Sequence, residues 1–235
     1  MALADTLTTE IESILTTAWN VRNGNIVPDS SNLALNGEAV KITATFLYAD
    51  LAGSSVLAQK CPWQTTAKIV RAYLNLCTRL IRSHGGEIRS FDGDRVMGIF
   101  KSNTPNTDAV SCAREIDWAV TNILNPKATA RFDSIKNNNI RIKHCVGVDS
   151  GEVVAVRAGL RNNNDLIWIG QAPSLAAKLS DIRNYPYEVY ITKVAYDAIS
   201  GGKQLSEGVC IWEPVIVKYA EENRTVYRTK TPLKP

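Results

Sequence analysis

The chain has 235 residues, of which 45% are hydrophobic and 21% charged, with a formal net charge of +4. That length supports a full hydrophobic core, so one domain with terminal extensions is the economical expectation and a small cross-linked scaffold is excluded. The basic residues are scattered rather than gathered into a run, which argues against a nucleic-acid groove and leaves small anionic ligands open.

Residues 7–21 carry Ile11, Ile14, Leu15 and Ala18 at helical spacing. The opening stretch MALADTLTTEIESILTTAW is amphipathic and acidic, unlike a secretion signal with a basic start and an apolar centre. A polar stretch follows, so residues 1–37 read as an appended helix and linker, and 38–235 as the main domain. That domain opens with a strand over 41–50. IVRAYLNLCTRLI then places Ile69, Tyr73, Cys77 and Leu80 on one helix face, and Gly85-Gly86 ends the helix. A hairpin over 87–100 turns at Asp92-Gly93. The next helix aligns Val110, Ala113, Ile116, Val120 and Ile123, with Asn125-Pro126 as its stop. RIKHCVGVDSGEVVAVRAGL reads as two strands around Ser150-Gly151, and LIWIG as a short strand. A helix over 172–182, the strand EVYIT and a hairpin around 221–224 complete the chain. This order predicts an α+β fold with a ferredoxin-like β-α-β-β-α-β core and extra strands. The cysteines Cys61, Cys77, Cys112, Cys145 and Cys210 are odd in number and widely spaced, which fits free thiols in a reducing compartment rather than a disulfide framework or zinc site. No apolar run reaches membrane-spanning length, and a cytoplasmic protein is expected. His84 and His144 stand alone and read as structural.

Two aspartates carry the chemistry. In TATFLYADL, Asp50 ends a strand crowded with apolar residues, where a carboxylate is costly without a cation or donor beside it. In SFDGDRVMGIF, Asp94 follows the predicted turn. If a helical crossover joins the first strand to the hairpin, both carboxylates meet at one sheet edge. Oxygen donors without a histidine or cysteine cluster favour Mg²⁺ or Mn²⁺, and two such ions suit in-line displacement at phosphorus.

From about residue 39 to 227 the chain resembles the catalytic domain of class III nucleotidyl cyclases. FLYADLAGSS is similar to the family's metal-binding strand, GDRVMGIF to its hairpin aspartate motif, VGVDSGEVVAVRAGL to its central hairpin and IGQAPSLAAKL to its glycine-led catalytic helix. The resemblance implies Asp50 and Asp94 as ligands of two divalent cations, with the Leu51 carbonyl as a further ligand. Ser174 and Lys178 fall on the family's transition-state asparagine and arginine positions, and Lys178 supplies a point charge where arginine supplies a fork. Lys218 and Arg161 are implied triphosphate contacts. At the purine-reading positions of the family this chain has Ser90 and Ile167, neither of which matches a purine edge. Tyr48 lies on the same strand face as Asp50 and can meet a base, and Arg95 can reach base or phosphate.

That combination resembles the pyrimidine cyclases of the bacterial Pycsar antiphage system, which make cyclic UMP or cyclic CMP to activate a separate effector. It implies a homodimer with sites at the subunit interface, converting UTP to cyclic UMP and pyrophosphate. A cytidylate cyclase is the main rival; an adenylate cyclase or an inactive nucleotide sensor follows. A ferredoxin-like RNA-binding domain lacks the paired strand aromatics that stacking needs.

Overall fold

The computed structural model describes residues 2–199, 204–206 and 208–235. In chain order it contains α1 (Leu3–Thr16), β1 (Asn20–Asn23), β2 (Glu38–Ala52), α2 (Ser54–Lys60), α3 (Trp63–Ser83), β3 (Glu87–Asp92), β4 (Arg95–Phe100) and α4 (Pro105–Ala119). There follow α5 (Asn125–Arg131), α6 (Asp133–Asn137), β5 (Lys143–Leu160), β6 (Asn163–Ile169), α7 (Gln171–Ser180), β7 (Val189–Thr192), α8 (Lys193–Ala198), β8 (Leu205–Ser206), β9 (Val209–Cys210), β10 (Glu213–Tyr219) and β11 (Glu222–Thr229). The chain divides into two compact units, residues 1–43 with 152–170 and residues 44–151 with 171–235.

In the smaller unit β1 pairs in parallel with the start of β2, from Asn20 opposite Glu38 to Asn23 opposite Lys41. β6 runs antiparallel to the second half of β5, from Val154 opposite Ile169 to Leu160 opposite Asn163. Lys41 and Glu152 form an ion pair at 2.8 Å, and Arg157 Nη1 donates to the Leu33 carbonyl at 3.1 Å.

In the larger unit the strand order is β10-β11-β7-β5-β2-β4-β3. Its β5-β2-β4-β3 segment is the ferredoxin-like arrangement, in which the crossover through α3 leaves room for β4 to insert between β2 and β3. Leu47, Ala49 and Leu51 of β2 are buried in one cluster with Ile69, Tyr73, Cys77 and Ile81 of α3 and with the inner face of α4. Because strand side chains alternate, Tyr48 and Asp50 belong to the opposite sheet face. The helix α7 is seated on β5 at Gly147, where a Cβ would lie 2.1 Å from the Ala176 carbonyl oxygen. Only glycine permits that approach. Leu175, Ala176 and Leu179 are buried there, leaving Ser174 and Lys178 on the exposed side one turn apart.

Several local expectations change. The N-terminal helix ends at Thr16, and residues 20–23, expected to be helix or linker, pair as a strand. Asn125-Pro126 does not end the helical run. α4 passes through a π-helical turn (Val120–Leu124) into α5, where proline occupies the first turn and needs no donor. The Asn125 side chain bonds the Val120 and Ile142 carbonyls and the Ile142 amide, which ties the junction down. Ser150-Gly151 does not divide two strands, since β5 continues for 18 residues. The histidines are partnered as structural residues: His84 Nε2 lies 2.8 Å from Glu115, and His144 Nε2 lies 3.3 Å from Asp117. Four cysteines are buried and Cys210 is exposed, all of them free. Among the described residues no helix is long and apolar enough to cross a membrane.

A buried carboxylate outside the expected set is Asp149 of β5, which accepts from Thr192 Oγ1 and from the Ser150 amide. Burial pushes its carboxyl up to about 6 despite those bonds. Between about pH 4 and 6 the folded chain therefore holds a proton that the unfolded chain releases, and stability falls as pH rises through that window. Asp149→Asn keeps both acceptor bonds and removes the titration. Urea unfolding at intervals from pH 4 to 7 should show a flatter profile for the variant, with a relative gain at pH 7 of up to about 3 kcal/mol; parallel profiles would refute the assignment.

Candidate active site

The site begins with strand register. Tyr48 of β2 and Ser90 of β3 both stand opposite Met97 of β4, and Asp50 and Asp92 both stand opposite Arg95. Directly paired residues of antiparallel strands share a face, so Tyr48, Met97 and Ser90 form one row and Asp50, Arg95 and Asp92 the next. A β-bulge between Ile88 and Ser90 sets this alignment, for without the extra residue Arg89 would stand opposite Met97.

The hairpin loop is Gly93-Asp94, one residue later than expected, with Gly93 at φ +59° and Asp92 still in the strand. A positive φ at the first loop position suits a two-residue hairpin and needs glycine. The Leu51 amide donates to the Asp94 carbonyl at 3.4 Å, which brings the ends of β2 and of the hairpin together. Asp50, Leu51 and Asp94 thus meet at one edge.

Asp50 is 6% exposed and both its oxygens are engaged by cations. Arg95 Nε donates to Oδ1 at 3.2 Å, and Arg183 Nη2 donates to Oδ2. Arg95 also bonds Asp181, so β2, β4 and the segment after α7 are joined by alternating charges. Arg183 is held in turn by the Ser180 carbonyl at 2.6 Å. Burial raises the Asp50 carboxyl above the usual range, Arg95 and Arg183 pull it back, and the Asp94 charge adds to the rise. The Tyr48 phenol is half-buried and its pKa is raised by burial, with Arg95 opposing and Asp92 reinforcing that rise. These fields place the tyrosine beside the charged cluster.

Asp50, Asp92, Asp94 and Asp181 bring four carboxylates against the two guanidiniums of Arg95 and Arg183. The excess is negative, and the Asp50 oxygens already accept cationic donors. Hard oxygen donors of this kind fit Mg²⁺ or Mn²⁺. Among the described residues no three histidine, cysteine, aspartate or glutamate side chains converge on one point. A metal here would draw on Asp50, Asp94 and the Leu51 carbonyl together with oxygens from outside the protein.

The other expected residues lie on other elements. Ser174 and Lys178 are on exposed α7, and Lys218 is exposed on β10. Ile167 is on β6 and Arg161 in the β5-β6 loop, both in the smaller unit and exposed. Arg183, Asp181 and the row position of Asp92 were not foreseen. The only local signal for the first two is the charged pair in SDIRN at the end of a helix.

The chain is 41% identical over 237 aligned residues to a uridylate cyclase of Rhodovulum sp. (strain MB263), covering 100% of this chain and 99% of that protein. It is 36% identical to a uridylate cyclase of Xanthomonas perforans, covering 97% of each. Among solved structures, a bacterial light-regulated adenylyl cyclase aligns with a TM-score of 0.65 at 21% identity, covering 82% of this chain and 92% of that one, a likeness of fold alone. No protein-family model matches the sequence.

The two arginines on Asp50 should differ in weight. Arg95 bridges Asp50 and Asp181 with its side chain 25% exposed, whereas Arg183 meets Asp50 from a more open position. Removing Arg95 leaves Asp181 unpaired and the buried Asp50 with Arg183 alone, and Arg95→Ala should cost about 2–3 kcal/mol. Arg183→Ala should cost less than half of that, because water can reach the freed Oδ2. Equal losses in urea unfolding would show that the bridge is not what holds this edge.

Proposed function

Because the chain belongs to the uridylate cyclase family of class III nucleotidyl cyclases, we propose that it converts UTP to 3′,5′-cyclic UMP and pyrophosphate. In this reading residues 38–235 are the catalytic domain and residues 1–37 an appended segment. The 3′-hydroxyl of the ribose attacks the α-phosphorus, its proton departs, and the bond to the β-phosphate breaks. Two divalent cations at Asp50, Asp94 and the Leu51 carbonyl, Mn²⁺ or Mg²⁺, would acidify the hydroxyl and neutralise the departing pyrophosphate.

The protein's own residues do the rest. Arg95 and Arg183 hold the Asp50 carboxylate in orientation at the end of β2. Tyr48 presents a ring and a phenol to a base bound along its row, and Ser90 offers a hydroxyl two strands away. Lys178 and Ser174 come from the second chain of a homodimer, where Lys178 puts a positive charge on the developing oxyanion. Their exposure on α7 leaves both side chains open to a second chain, which supports a site shared between subunits. Lys218 and Arg161 serve the triphosphate, and Ile167 leaves a purine edge without a partner. Arg95 also lies within reach of base or phosphate. We place the enzyme in the cytoplasm, its cyclic product acting on a separate effector in antiphage defence.

The observation that carries the base preference is the Tyr48-Met97-Ser90 row, which puts a phenol and a hydroxyl on the same face and one strand step from Asp50. A purine bound over that row leaves the half-buried phenol and hydroxyl mismatched, and mismatches of that kind discriminate by orders of magnitude. Measured as kcat/KM with Mg²⁺ and with Mn²⁺, UTP should exceed ATP and GTP by at least about 100-fold. A preference for CTP would favour the cytidylate reading, and a preference for a purine would overturn both. Asp50→Ala or Asp94→Ala should remove turnover, and substantial activity in either would sink the metal assignment.

A shared site has its own signature. Mixing inactive Asp50→Ala chains with inactive Lys178→Ala chains creates mixed dimers with one doubly damaged and one intact site. Activity should return to about a quarter of wild type after random subunit exchange. No recovery, with exchange confirmed by mass, would place the reacting groups within one chain or remove Lys178 from the reaction.

A further inference from the structure

Two surfaces of this chain are apolar, exposed and opposite in charge. α1 buries no residue, although Leu3, Leu7, Ile11, Ile14 and Leu15 form a continuous stripe along it. Its only charged residues are Asp5, Glu10 and Glu12. In the larger unit, the outer side of α3 forms with α2 and β3 an open groove of about 760 Å³, with Trp63, Val70, Leu74 and Phe91 among its lining residues. Trp63 is 74% exposed and Phe91 56%. α3 carries Lys68, Arg71, Arg79 and Arg82 and no acidic residue.

We propose that the groove along α3 receives the α1 helix of a second copy of this chain. The lengths agree: fourteen helical residues span about 21 Å, and the stretch of α3 that lines the groove, from Trp63 to Thr78, spans about 24 Å. The charges agree as well. Glu10 lies three residues after Leu7 and four before Ile14, which sets it along the border of the apolar stripe. Arg71 lines the groove. Among the described residues neither Glu10 nor Arg71 has an ion-pair partner in its own chain. A second α3 is a poor occupant because two purely basic helices repel, and an acidic amphipathic helix is a poor ligand for an anionic membrane. The amphipathic helix in an apolar groove is a common recognition mode, and the Glu10-Arg71 pair fixes its direction and register. This contact is independent of catalysis. A chain inactive toward every nucleotide would still make it.

The experiment places the photo-crosslinker p-benzoylphenylalanine at Leu7 of the full chain and mixes it with an isotopically heavy copy lacking the probe. Irradiation should join the helix to heavy peptides from residues 63–78, identified by mass spectrometry. Glu10→Arg or Arg71→Glu in both copies should lower that yield at least about threefold, and the two reversals together should restore it. Crosslinks confined to the light chain would show that the groove is covered within one molecule and would overturn the proposal. So would crosslinks to other peptides, or single reversals without effect. A double reversal that fails to recover, in chains that keep wild-type circular dichroism, would overturn the Glu10-Arg71 pairing and the register it sets.

Discussion

The structure turns on one carboxylate placed where a carboxylate is expensive. Asp50 lies two residues from the end of β2, whose residues on the other face lie in the core, and burial alone drives its carboxyl toward the neutral form. Arg95 and Arg183 oppose that drive from two directions, and Asp181 closes the circuit by taking a second bond from Arg95. Two aspartates and two arginines alternate in sign, so each charge removed from water faces its opposite. Three separated stretches of chain are thereby held at one edge, and Asp92 and Asp94 add the uncompensated negative charge that gives this edge an appetite for cations.

The remaining geometry follows from packing that has no chemistry of its own. β4 lies between β2 and β3, so a single Arg95 faces an aspartate on each side. The bulge at Arg89 decides which residue of β3 joins the tyrosine row. Gly147 lets α7 descend onto β5, and the same contact leaves Ser174 and Lys178 exposed on the helix's other side. A helix that presents polar residues to its surroundings and apolar ones to its strand is an ordinary amphipathic helix.

The sequence was most legible where periodicity and sharp local costs act together. The strand ending at Asp50, the long helix with Ile69, Tyr73 and Cys77 inward, and the hairpin bearing Asp94 are all legible because apolar spacing and a glycine turn leave few alternatives. It was weakest where a neighbour overrides a local signal. Asn125-Pro126 has the composition of a stop, yet a π turn and the Asn125 side-chain bonds carry the backbone onward. Ser150-Gly151 has the composition of a turn, yet β5 runs through it unbroken between its pairing with β7 at 146–148 and its pairing with β6 from 154 onward. The hairpin turn was misplaced by a single residue, which moved Asp92 from the loop into the row with Arg95.

By itself, the sequence determined the α+β order of elements and the two aspartates, one near a strand end and one in a hairpin loop, because these depend on residue type and spacing along a single segment. The tertiary structure alone decided that Arg183 and Asp181 belong with Asp50, from which they are separated by more than 130 residues of chain. Charge pairing of that kind is set by where a strand end and a helix end come to rest, and no local pattern records it. The same holds for α1 and α3: each shows its single sign of charge in sequence, but only the fold reveals that the stripe of α1 is uncovered and that α3 keeps an open groove beside Trp63 on the side away from its buried face.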